Sequence, residues 1–190
     1  MYVAIAIVSF VFGLTVTIAD SLNEHGLTLF KGSSILFGVL WGISGSILIL
    51  LSKPLLTLYF ALVLYWLLRL KLDRTNHAIG ATLMIATTAS QLSGAVFDGA
   101  NFAWIIGSLV LTGYSKTYLE ARGYRGYLLL LLRFRLYLIP ASFSIVIHDP
   151  SPFLATLVGM VGRFVSARFA HRTERSYYRE VIQRASRLVK

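Results

Sequence analysis

The side chains of this sequence best suited to chemistry are arginines that lie inside long apolar segments. Arg133 and Arg135 follow a run of five leucines, and Arg163 lies in the middle of another apolar segment. An arginine inside a bilayer costs at least ~2.5 kcal/mol, so each one needs a compensating partner. The same segments hold almost no acidic residue. The pattern therefore favours an external anion, and a phosphate group suits the paired N–H donors of a guanidinium.

The predicted depth of each arginine in the bilayer suggests which of them lie close together. Arg133 and Arg135 enter the bilayer from the same side that Arg163 approaches, so we expect Arg133 and Arg163 to converge on an anion. Arg133 and Arg135 are two residues apart and cannot share a helix face, so Arg135 either helps or faces lipid head groups. A purely structural explanation also stands: the guanidinium groups reach the membrane surface, pair with Asp73 or Glu120, or bond to backbone carbonyls and Tyr137.

A second polar group lies between the third and fourth apolar segments. Asp73 and His77 are four residues apart and would share a helix face, with Arg69 close by. These residues suit acid–base or ligand-binding roles; the alternative is a capped turn, in which Asp73 or Thr75 caps the fourth helix. The predicted ligand-binding set is therefore Arg133, Arg135, Arg163, Arg69, Asp73 and His77.

The turns on the opposite side carry acidic residues. Asp98, His148 and Asp149 are suited to a cation there, although His-Asp-Pro is also an ordinary turn sequence. The chain has no cysteine, which excludes disulfides, thiolate metal sites and thiol catalysis. We predict no catalytic residue, no metal and no cofactor.

Composition predicts the elements that must position these side chains. Of 190 residues, 56% are hydrophobic and 14% charged, and the mean hydropathy is +0.71. Unbroken apolar segments are stable as helices in lipid, where each helix satisfies its own backbone hydrogen bonds. The sequence predicts an all-α, polytopic integral membrane protein of about seven spans. The predicted spans are residues 3–19, 34–51, 55–70, 77–97, 102–115, 127–147 and 153–170.

Basic residues predict the orientation of these spans. They collect in alternate connections, whereas the other connections hold Lys53 as their only basic residue, together with Asp98 and Asp149. The positive-inside rule then places the N-terminus outside the cell membrane and the C-terminus in the cytoplasm. The basic connections carry Lys31, Arg69, Lys71, Arg74, Lys116, Arg122 and Arg125.

Residues 171–190 differ from the transmembrane part, residues 1–170. Apolar residues recur there at helical spacing among arginines, as in a basic amphipathic helix on an anionic membrane surface. Alternatively, this tail packs on the protein's own loops or is partly disordered. The net charge of +10 indicates anionic lipids as partners rather than nucleic acid. Gly38 and Gly42, four residues apart, predict close helix packing within the chain.

Three functions remain open. The first is a membrane transporter or channel with an arginine-lined inner-leaflet vestibule for an anion or phosphate head group. The second is an accessory or assembly subunit of a larger membrane complex; a homo-oligomer is compatible with either. The third, an enzyme acting on a phosphorylated lipid, lacks the acidic cluster that would hold Mg²⁺.

Overall fold

A computed structural model describes the backbone of residues 1–24, 29–69, 75–92 and 98–188, with side chains to residue 22 in the first range and 169 in the last. The described ranges contain eight helices and no strand. The predicted all-α class is confirmed. The helices are α1 Tyr2–Glu24, α2 Ser33–Leu51, α3 Lys53–Leu68, α4 Thr75–Leu92, α5 Gly99–Ala121, α6 Tyr127–Arg133, α7 Arg135–Ile147 and α8 Ser151–Leu188.

Short polar residues begin three of these helices. Ser52 adopts an extended conformation, and its hydroxyl accepts from the Leu55 amide in the first turn of α3. The Asp98 carboxylate accepts from the Asn101 amide at 3.0 Å at the start of α5. Asp149 accepts from the Ser151 amide at 2.8 Å before α8. Such side chains satisfy amides that have no partner within a helix.

The helix connections gather at two ends of the bundle. At one end, here the Asp98 end, the Ser52 and Ser151 hydroxyls lie 3.4 Å apart, and Asp98 and Asp149 line one cleft. At the other, the Arg69 end, Arg69 bonds to Thr117 near the last turn of α5. Among the described helices, α3 and α5 therefore both begin at the Asp98 end and finish at the Arg69 end.

Glycines bring two pairs of parallel helices into close contact. A Cβ on Gly13 of α1 would lie 2.7 Å from the carbonyl carbon of Gly159 in α8. A Cβ on Gly42 of α2 would lie 2.7 Å from the Cα of Gly80 in α4, and Gly38 meets Asn76 in the same way. The close packing within the chain predicted for Gly38 and Gly42 is confirmed.

Helix α3 lies between two apolar clusters and contributes to both. The first joins it to α1, α2, α4 and α8 around Trp41 and Met84, which are buried. The second joins it to α5 and α7 around Leu109 and Phe143. Side chains on α3 therefore meet residues from most of the other helices.

The sixth predicted span, 127–147, is wrong as a single helix. It consists of α6 and α7, which meet at Phe134 at an angle of 72°. There the Phe134 amide is shared between the carbonyls of Leu130 and Leu131, and the Arg135 guanidinium binds the Leu132 carbonyl at 2.9 Å. Pro140, inside α7, lacks an amide donor to the preceding turn, which further weakens helix continuity.

Length and composition support a membrane location for the first two helices. Among the described residues, Tyr2–Leu22 and Ser33–Leu51 are long and apolar enough to cross a membrane, and the bent α6–α7 pair would be a third if it is one span. The predicted count of seven spans is not confirmed by this criterion. Helix α8 continues without a break to Leu188, so no helix boundary separates residues 153–170 from the tail.

Candidate functional site

Two of the predicted arginines lie on either side of one tyrosine at the Arg69 end. Arg135, the first residue of α7, donates from Nη2 to the Tyr65 hydroxyl at 3.0 Å. Arg69 lies one turn after Tyr65 on α3 and donates from Nη2 to the Thr117 hydroxyl at 2.9 Å. Thr117 in turn donates to the carbonyl of Gly113, against which the Tyr65 ring packs. Arg69, Tyr65, Thr117 and Arg135 are called the basic cluster below.

Both arginines of the basic cluster keep a donor without a partner. Arg69 Nη1 and Arg135 Nε are buried, and neither makes a hydrogen bond to a described residue. An unpaired buried donor costs about 1–3 kcal/mol, and more when it belongs to a charged group. Arg69 also packs over the Tyr114 ring at 5.3 Å, which orients its guanidinium. The cluster thus presents two oriented, incompletely bonded guanidinium groups.

Arg133 has a carboxylate partner and lies away from this arrangement. Its Nη2 is 3.4 Å from Glu120 Oε1 on α5, and its side chain is 58% exposed. Glu120 also accepts from Lys116 at 2.7 Å. That hydrogen bond, followed by the charges of Lys116 and Arg133, lowers the pKa of the Glu120 carboxyl from its ordinary value. Arg133 therefore helps to connect α6 with α5.

Arg163 occupies a different place, a small cavity between α1, α3, α7 and α8. The cavity measures about 60 Å³, and Tyr59, Trp66 and Tyr137 are among its lining residues. A water molecule occupies about 30 Å³ in the liquid, so this space suits water or a small ion but not a phosphate head group. None of the ion pairs between described residues includes Arg163. The expected convergence of Arg133 with Arg163 is not seen.

His77 connects α4 to α1 within the bundle. Its Nε2 lies 2.8 Å from Asp20 Oδ1, and the neighbouring buried Asn76 donates to the Ala19 carbonyl. The His77 ring packs edge-on to Trp41 with the centroids 6.4 Å apart. Asp73, the predicted partner of His77, lies outside the described residues. The structure thus assigns His77 the partner Asp20.

The basic cluster depends on residues that the sequence prediction did not include. Tyr65 and Thr117 orient the arginines, while Asp20 and Glu120 supply carboxylates to His77 and Arg133. Two of these residues had a usable signal. Tyr65 precedes Arg69 by one helical turn, and Glu120 is an acid on the same predicted side of the membrane as the arginines. The other partners come from distant helices and depend on the tertiary packing.

The Asp98 end holds a larger cleft, of about 590 Å³, between α3, α5 and α7. Asp98 and Asp149 line it, whereas His148 is not among its lining residues. Among the described residues no group of three or more His, Cys, Asp or Glu side chains is placed to hold a metal ion.

Comparison with known proteins gives no relative. No family model, curated protein or solved structure matches this chain.

Proposed function

We propose that this chain is a multi-pass membrane transporter or channel that binds a phosphate-type anion at the Arg69 end. The proposal includes the seven predicted spans, the outward N-terminus and the cytoplasmic Arg69 end. The observation that carries it is the basic cluster, where two arginines from different helices each keep a buried donor without a partner.

None of the ion pairs between described residues includes Arg69 or Arg135. The carboxylate described nearest to it in sequence is Glu120, which is already bonded to Lys116 and Arg133. Within the described residues, the hydrogen-bond partners of Arg69 and Arg135 are hydroxyls and a backbone carbonyl. A phosphate accepts several charge-assisted hydrogen bonds at once, which suits two guanidinium groups that are incompletely bonded. The proposed anion site therefore uses Arg69 and Arg135 of the predicted arginine set, whereas Arg133 is paired with Glu120.

The break between α6 and α7 favours transport over static lipid binding. Many transporters place their substrate sites where a helix is interrupted, with a helix N-terminus directed at an anionic group. Helix α7 begins at Arg135 itself, so its N-terminal amides add partial positive charge beside the guanidinium. The Arg135 guanidinium and the first amides of α7 therefore both bring positive charge to the start of α7.

Flux measurements test this proposal. The purified chain is reconstituted in phosphatidylcholine vesicles, and uptake of radiolabelled phosphate and flipping of a fluorescent phosphatidylglycerol are measured separately. We expect one of the two activities in the wild type, reduced at least about tenfold in Arg69→Gln and Arg135→Gln because a charge-assisted bond is lost. Arg122→Gln is the matched control, since Arg122 lies at the same end and packs on the Tyr118 ring.

The result also separates the two leading functions. If neither probe moves, transport is wrong. If the phosphate or the lipid nevertheless binds to the basic cluster, the accessory-subunit function becomes the better explanation. If Arg122→Gln lowers flux as much as the cluster variants do, the effect is general surface charge rather than a site.

A further inference from the structure

The cleft at the Asp98 end has the size and lining of a ligand site and is separate from the basic cluster. Its volume of about 590 Å³ falls within the ~300–1,000 Å³ that is usual for small-molecule pockets. Its apolar wall includes Leu56 and Phe143, both nearly fully buried, together with Ile147. Such a wall receives the apolar body of a ligand and removes it from water.

Charges of both signs line the same cleft. Lys53 comes from the start of α3, Asp98 from the start of α5, and Asp149 from the turn after α7. None of the ion pairs between described residues includes any of these three. The cleft therefore offers one ammonium and two carboxylates to a ligand.

Helix capping leaves acceptor capacity on both carboxylates. Asp98 accepts from the amide and the side chain of Asn101, at 3.0 and 2.6 Å. Asp149 accepts from the Ser151 amide through Oδ1, and its Oδ2 makes no hydrogen bond within the described residues. An ionised carboxylate has about four lone-pair sites. Capping thus explains the position of each acid, and its remaining lone pairs can receive an ammonium group.

We infer that this cleft binds a small zwitterion with an apolar body. The ligand's ammonium group lies at Asp98 and Asp149, its anionic group at Lys53, and its apolar part against Leu56 and Phe143. Two sources supply this chemistry: a soluble amino-acid-like molecule, or the phosphoethanolamine head group of a membrane lipid. A simple anion does not fit, because carboxylates outnumber ammonium groups in the cleft.

Three related probes test the charge pattern on the full chain in a neutral detergent. L-phenylalanine carries both charges, phenethylamine only the ammonium, and 3-phenylpropionate only the carboxylate. We expect a saturable rise in the thermal unfolding temperature with L-phenylalanine, a weaker effect with phenethylamine, and none with 3-phenylpropionate. Equal binding of 3-phenylpropionate and L-phenylalanine would overturn the proposal.

Variants then assign the contacts without removing the helix caps. Asn caps a helix about as well as Asp, so Asp98→Asn with Asp149→Asn removes charge but keeps the fold. We expect this double variant to weaken L-phenylalanine binding at least about tenfold. Lys53→Gln should reduce the affinity for L-phenylalanine to the level of the affinity for phenethylamine, and it should leave phenethylamine binding unchanged. Unchanged L-phenylalanine binding in the double variant contradicts the site.

Competition experiments with lipids distinguish the two sources of the ligand. If the natural ligand is a head group, vesicles of phosphatidylethanolamine should compete with L-phenylalanine, whereas phosphatidylcholine should not. If it is soluble, neither lipid competes. Competition by phosphatidylcholine equal to that by phosphatidylethanolamine would show that the primary ammonium is not recognised, and would refute the proposal. Arg122→Gln, a variant outside both proposed sites, should leave all these results unchanged.

Discussion

Replacing Gly42 by alanine tests the close packing of α2 against α4. The new Cβ would lie 2.7 Å from the Gly80 Cα and 2.8 Å from Leu83 Cδ1. Ordinary contact begins near 3.4 Å, so the two backbones must separate by about 0.7 Å, the difference between 3.4 and 2.7 Å. Overpacking of this kind costs about 1–3 kcal/mol. It outweighs the ~0.5–1 kcal/mol that alanine normally contributes over glycine within a helix.

The measurement is the free energy of unfolding in a detergent titration, with Gly107→Ala as the matched control. Gly107 also lies inside a helix, but a Cβ there meets nothing within 4 Å. We expect Gly42→Ala to lower the stability and Gly107→Ala to raise it slightly. If both variants were equally stable, α2 and α4 would not approach each other as described.

Three further predictions concern the Glu120 carboxylate, the Asp20–His77 contact and the membrane topology. The pKa of Glu120 is lowered in the fold, so the ionised carboxylate stabilises the protein fully above the ordinary glutamate pKa of about 4.5. This stabilisation is lost as the pH falls through the lowered pKa, and the stability of Glu120→Gln should not show that loss. A double-mutant cycle of Asp20→Ala and His77→Ala should show a coupling of about 1 kcal/mol between α1 and α4, and purely additive effects would contradict that contact. Cysteines introduced at Asp149 and Arg122 should be labelled from opposite sides of the membrane, Asp149 from outside; labelling of both from one side would contradict the proposed topology.

The sequence predicted the helices well because apolar segments and polar turns mark them clearly. Each predicted span overlaps a helix or, for 127–147, a helix pair; residue 70 and residues 93–97 of these spans lie outside the described residues. The break at Phe134 was missed because a run of leucines continues to Arg133 and reads as one helix. Pro140 does not mark this break, because α7 continues through it.

The positions of the arginines were harder to predict. The depth in the bilayer predicted from the sequence suggested that Arg133 and Arg163 meet. However, a 72° bend separates the helix that carries Arg133 from the rest of its predicted span. Arg133 turns to Glu120, a partner on another helix. The pairing of Arg69 with Arg135 through Tyr65 and Thr117 depends on how α3, α5 and α7 pack. Periodicity within one segment carries no information about that packing.

Identifying the ligand that the basic cluster binds is the most direct test of the proposed function. Native mass spectrometry of the purified chain, released from detergent after exposure to inorganic phosphate or phosphatidylglycerol, measures the bound anion directly. We expect one bound phosphate-bearing molecule on the wild type and on Arg122→Gln. It should be lost from Arg69→Gln and Arg135→Gln, and weakened in Arg135→Lys because an ammonium lacks the planar fork. A wild-type chain without bound anion, or equal retention by all the variants, would contradict an anion site at Arg69 and Arg135.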